Sequence, residues 1–258
     1  MTFWDDLYCQ SQSVTVDEEA LVATQLHHDL SQFVVVGVRK SDWVASPAKG
    51  VLRLLLERDG GEKTTRATSL VAYQPNSRFE PHGHPSGEEF VVLSGTFSDE
   101  HGDYPAGTYV RNPPSSSHQP FSRDGCLIFV KLQQFDMNDD QHVVETLSLG
   151  MNAGEVSNGW RRQMLFEGYE DVFFVQSNES CAIPAEWLQL GVEMLVMSGG
   201  LTMVESTDEV YHGEGSWLRF PVRSDKRFTV DIMAEKNTQL WIKTGHLPEM
   251  LVLDRNSE

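Results

Sequence analysis

From residue 33 onward apolar and polar positions alternate in short runs, and helical spacing is scarce. Phe33–Val38, Val51–Glu57, Arg66–Tyr73, Phe90–Leu93, Gly107–Arg111 and Cys126–Leu132 are rich in β-branched and aromatic residues. Turn chemistry closes them: Asp59-Gly60-Gly61, Pro75-Asn76, Ser94-Gly95, His101-Gly102-Asp103 and Pro113-Pro114. This texture predicts an all-β chain folded as antiparallel sandwiches or barrels. Residues 1–30 are a mixed segment in which Asp17–Leu26 predicts a short helix with acidic residues near its N-terminus. The polar, acidic stretch 136–158 predicts a linker. The expected division is an N-terminal segment 1–30, a first domain 31–140 and a second domain 141–258.

The second half reads as a faded copy of the first. Glu89–Gly95 is echoed by Glu193–Gly199, Gly107–Arg111 by Gly215–Arg219, and Leu127–Lys131 by Gln239–Lys243. The same β-fold is therefore expected twice in tandem.

Only the first copy carries a donor set. His82 and His84 are two apart, so on extended backbone both side chains share a face. Glu88 opens the next apolar run, and His118 follows the Pro113-Pro114 turn. Three imidazoles and one carboxylate converging from neighbouring strands would suit zinc or a first-row transition metal. In the second copy the two-histidine segment becomes Pro184–Leu188, Glu88 falls on Val192, and His118 falls on Lys226. Valine and a protonated lysine offer no lone pair, so the second copy is expected to hold no metal. His27-His28 and His212 are read as solvated.

Composition narrows the partners. A net charge of −18 over 258 residues argues against nucleic acid or an anionic membrane surface, both of which attract clustered Lys and Arg. No apolar run is long enough to span a bilayer, and the acidic start is unlike a signal peptide. Cys9, Cys126 and Cys181 are too few and too scattered for a disulfide framework or a C-x-x-C zinc site. The expected location is the cytoplasm, and the expected partner is a small molecule. A homodimer is also compatible with the chain, since such sheets leave edges to cover.

The donors His82, His84 and Glu88 with Gly95, followed by Gly107, Pro113 and His118, resemble the two motifs of the cupin superfamily. Asn76, Ser115 and Ser122 stand where that pattern has two glycines and an asparagine. The runs Gly95–Tyr109, Arg111–Pro114 and Gly125–Lys131 are similar to the cupin domain of ChrR-type anti-sigma factors. The resemblance covers residues 31–135 well and 155–247 weakly. It implies two tandem jelly-roll barrels, a bicupin, with one divalent metal per chain on His82, His84, Glu88 and His118. Zinc or iron is favoured, with nickel or manganese compatible. The zinc-binding helical domain of such anti-sigma proteins carries a His-x-x-x-Cys-x-x-Cys signature, which is missing here: only Cys9 precedes residue 126.

A metal with open coordination positions could bind dioxygen and a small carbonyl substrate, as dioxygenase cupins do. It could equally serve a non-catalytic sensing module or only stabilise the fold, and all three readings stay open at this level. Arg53, Arg66, Tyr73, Phe90, Tyr109, Arg111 and Phe129 are the candidate pocket residues, expected to supply an apolar wall and a cation or two for an anionic ligand.

Overall fold

The structure is a computed structural model that describes residues 1–13, 25–38, 43–61, 65–149, 154–156, 158–205, 208–222 and 231–247. It divides into two compact units: Met1–His28 with Lys40–Thr146, and Asp29–Arg39 with Leu147–Glu258.

The first unit is built on one large antiparallel sheet. Its strands run in the order Gln25–Leu26, Val51–Asp59, Arg66–Tyr73, Cys126–Leu132, Glu88–Asp99, Thr108–Asn112 and Val143–Thr146. Glu88–Asp99 is the pivot, with Cys126–Leu132 on one side and Thr108–Asn112 on the other. Its period-two alternation sends Phe90 and Val92 into a core with Val71, Tyr73, Val110, Ile128 and Val130. The intervening residues Glu89 and Val91 are buried on the opposite face. A separate two-stranded sheet pairs His82–His84 with Ser116–His118. Among the described residues the hydrogen-bonded strands do not close into a ring, so each unit is a set of sheets around a core rather than a sealed barrel.

The N-terminal segment forms a helix at Phe3–Gln12, held by a capping box in which Thr2 and Asp5 satisfy each other's backbone amides. Ser94 Oγ donates to Asp5 Oδ1 at 2.6 Å and Tyr8 Oη to the Tyr73 carbonyl at 3.2 Å, tying the helix to the sheet. Most of the helix expected over Asp17–Leu26 lies outside the described residues. Its last two positions, Gln25–Leu26, are a strand paired with Val51–Asp59.

The second unit repeats the central strand order. Val192–Ser198 lies between Gln239–Thr244 and Ser216–Phe220, matching the echoes read in sequence. The strand Val34–Gly37, grouped with the first domain by sequence, pairs instead with Ser216–Phe220. The linker region includes a strand, Val143–Thr146, paired with Thr108–Asn112. Where the first copy has its histidine pair, the second has the short helix Ala185–Gln189. Trp187 from that helix is buried, its ring 5.5 Å from Trp160 and 5.2 Å from Phe173.

Both units carry a buried charged row across three adjacent strands. Lys131, Glu89 and Arg111 stand side by side in one register, and Lys243, Glu193 and Arg219 in the other. All six are at most 1% exposed, so each charge must be matched by partners within the fold. Tyr109 Oη donates to Glu89 Oε2 at 2.8 Å, Lys131 Nζ to Thr68 Oγ1 at 2.9 Å, and Lys243 Nζ bridges to Glu170 at 2.8 Å.

Candidate metal centre

His82 and His118 are directly opposite across the two-stranded sheet, with His84 opposite Ser116. The extended backbone at Gly83 puts His82 and His84 on one face, and the pairing brings His118 to the same face. One ligand atom from each of the three histidines lies within 4.8 Å of the others. Glu88 Oε2 lies 3.5 Å from both His84 Nε2 and His118 Nε2. Donors about 2.1 Å from a tetrahedral ion stand about 3.4 Å apart, so the spacing fits one cation.

The hydrogen bonding fits as well. His84 Nε2 and His118 Nε2 are buried and have no hydrogen-bond partner, although buried polar atoms are rarely left so. The Nδ1 nitrogens of the three rings are held from behind. His82 Nδ1 lies 3.0 Å from the Glu80 carbonyl, His84 Nδ1 3.1 Å from Ser116 Oγ, and His118 Nδ1 3.2 Å from Asp99 Oδ2. Asn112 Nδ2 donates to Glu88 Oε2 at 3.1 Å. Ser116, Asp99 and Asn112 were missed by sequence reasoning, because only folding brings them behind the ligands. The one local signal was that Ser116 and Asn112 flank the Pro113-Pro114 turn.

Burial is the largest influence on His84 and lowers its pKa, aided by the other two histidines and opposed by Glu88. Burial acts the same way on His118, but the Asp99 hydrogen bond and the Glu88 and Asp99 charges outweigh it and raise its pKa above 6.5. Protons and a cation compete for the same Nε2 atoms. Metal affinity is therefore expected to fall steeply as the pH drops through the raised value of His118. Chelator competition across roughly pH 8 to 5.5 checks this, and a flat profile would contradict it.

Beyond the donors an arc of rings links two of the ligands. Phe79 lies 5.7 Å from His82, Phe97 5.9 Å from His118, and Tyr73 spans Phe79 and Phe97 at 5.7 and 5.6 Å. Burial foremost, then the Cys126 and Glu88 charges, hold the Tyr73 phenol well above its ordinary pKa, so it stays neutral.

The candidate pocket residues separate by strand face. Tyr73 and Phe90 belong to the core on the metal side. Arg53 is paired with Val71 on that inward face, its guanidinium donating to the Ala45 carbonyl at 3.2 Å. Arg66, Tyr109, Arg111 and Phe129 lie on the opposite face. Arg66 pairs with Glu57, and Arg111 pairs with Asp139 and stacks 3.6 Å from the centroid of Phe135. Phe129 is in register with Val91, between the inward residues Ile128 and Val130. Their burial resembles that of pocket residues because both faces of this sheet are covered.

His27 and His28 are exposed, whereas His212 is half-buried in the strand Asp208–Gly213 and its pKa is lowered by that burial. Lys226 lies outside the described residues. Among the described residues the three histidines are the only group of three or more His, Cys, Asp or Glu side chains spaced to hold a metal ion. No described helix is long and apolar enough to cross a membrane.

Residues 31–136 match the ChrR Cupin-like domain family. No curated protein matches the chain. Similar solved structures include protein YlbA from E. coli, at 12% identity and TM-score 0.59, covering 89% of this chain and 97% of that one. A Nostoc punctiforme protein proposed to be a dioxygenase aligns at 11% identity and TM-score 0.62, covering 83% and 82%. The E. coli pirin YhhW, solved with nickel(II), aligns at 11% identity and TM-score 0.57, covering 83% and 98%. Identities this low speak to the fold alone, which is that of the cupin-type structures, and the likeness to the ChrR Cupin-like domain family extends over residues 31–136.

Proposed function

We propose that the first unit binds a divalent metal through His82, His84, Glu88 and His118 and uses it on a small compound with oxygen donor atoms, in the manner of a dioxygenase. The observation that carries this reading is the pair of buried, unpartnered Nε2 atoms of His84 and His118 facing the Glu88 carboxylate. Bound iron supplies redox chemistry with dioxygen, and bound zinc supplies Lewis acidity. The chain's own residues then have distinct tasks. Phe79, Tyr73 and Phe97 wall the site with rings, Phe90 and Val92 exclude water beneath it, and inward-facing Arg53 is the residue to meet an anionic group on the ligand. The likeness to the Nostoc protein supports this reading through fold alone.

A second reading is a non-catalytic zinc-binding sensor, favoured by the match of the same residues to the ChrR cupin-like domain. Metal analysis of protein purified without oxygen, followed by oxygen-electrode assays with pentane-2,4-dione, separates the two. Dione-dependent oxygen uptake by the iron form is the expected result. Tightly held zinc with no turnover in any metal form would favour the sensor. Failure to take up any divalent metal would overturn both.

A further inference from the structure

The three histidines are not held alike. His84 leans on a serine hydroxyl, which can donate or accept and so imposes no tautomer. His82 faces a backbone carbonyl. Of the three Nδ1 atoms only that of His118 faces a carboxylate, Asp99 Oδ2, and an ionised carboxylate can only accept, so it requires a proton on Nδ1. That leaves the Nε2 lone pair of His118 directed at the cation site.

Asp99 is in turn fixed at its other oxygen. Oδ1 accepts from the backbone N–H of His101 at 2.8 Å and of Gly102 at 3.2 Å, and from Tyr104 Oη at 3.3 Å. Next to it, Glu100 Oε2 accepts from the Gln119 amide at 2.7 Å, gripping the chain one residue beyond His118. The turn at Asp99–Gly102 thus holds both the ring and the backbone of this ligand. From this arrangement we infer that Asp99 is a positioning residue that sets the tautomer of His118, and that the turn from Asp99 to Gly102 governs how tightly the site holds a metal. This deepens the metal-binding reading above and rests on it.

Asp99→Asn is the informative variant. The two backbone N–H groups can only donate, so they keep the amide oxygen at the Oδ1 position. The amide NH2 is then left facing His118 Nδ1, which must become the acceptor, and the proton moves to Nε2, where the metal would sit. The change is nearly isosteric, yet it is expected to reverse the tautomer and weaken Co2+ and Zn2+ binding by about 100-fold. Ser116→Ala, which removes a partner without dictating a tautomer, should cost under about 10-fold.

Two measurements test this. Long-range 15N–1H spectra of the metal-free protein at alkaline pH, where the imidazole rings are neutral, report the tautomer directly: protonated Nδ1 at His118 in the wild type and protonated Nε2 in Asp99→Asn. Chelator competition reports the affinities. If His118 keeps its Nδ1 proton in the variant, or if Asp99→Asn binds metal within about threefold of wild type, the inference is overturned. Because the spectra need no metal, a wild type that shows the Nδ1 tautomer yet binds no cation would defeat the metal reading while leaving the positioning role of Asp99 intact.

Discussion

Replacing His84 with alanine is expected to weaken divalent-metal binding by about 100-fold or more, while Glu193→Gln leaves it within about twofold. The first figure is a lower bound, since loss of a residue merely supporting a ligand already costs 10–100-fold. His84 is 2% exposed, and its Nε2 faces Glu88 and no hydrogen-bond partner. Removing it takes one of the three clustered imidazole donors from the centre. Glu193 occupies the position of Glu89 in the second unit, accepts from Trp217 Nε1 at 3.3 Å and lies 3.1 Å from His246 Nε2. Its loss should disturb packing in that unit and leave the donors of the other untouched. Isothermal titration of folded, metal-free protein with Zn2+ distinguishes the two. Unchanged affinity in His84→Ala would refute the ligand assignment.

The second large effect is on stability. Gly95 lies within the central strand Glu88–Asp99, between buried Ser94 and buried Phe97, with φ +72°, a region that disfavours side chains. A Cβ there would lie 2.2 Å from the Gly125 carbonyl oxygen and 3.0 Å from the Cys126 Cα, both backbone atoms that cannot rotate aside. Gly95→Ala therefore combines an unfavourable dihedral with a main-chain clash, and about 3 kcal/mol of destabilisation is expected. In thermal unfolding this is a fall of roughly 6–12 °C in the transition of the first unit. A variant melting within about 2 °C of wild type would show that the turn adapts, contrary to this account.

The shared face of His82 and His84 was legible in sequence because period-two geometry dictates it, whereas their pairing with Ser116–His118 spans three intervening strands and was reachable only through the motif resemblance. The strand runs and the internal repeat were legible for the same reason, since alternation and turn residues are local. What escaped was non-local or two-sided. Val34–Gly37 finds its partner in Ser216–Phe220, far along the chain, and no local pattern marks that choice. Arg66, Tyr109, Arg111 and Phe129 were pocket candidates whose facing the sequence left open, with a structural pairing of Arg111 and Glu89 equally compatible. Where both faces are buried, however, alternation cannot tell a ligand wall from a layer of buried ion pairs. The helix at Phe3–Gln12 was missed because its signal is a single capping box in a short, weakly apolar segment.

The short ribbon His82–His84 with Ser116–His118 forms a sheet of its own, hydrogen-bonded to no third strand among the described residues. Two-stranded ribbons hold poorly alone. An ion seated on both arms would act as a hasp, joining them more firmly than their few backbone bonds can. Drawing that ion out would then loosen the mouth of the site ahead of the main sheet. Loading with metal would change the shape of one local surface while the rest of the unit stays as it was, and such a change is open to a binding partner or a substrate alike.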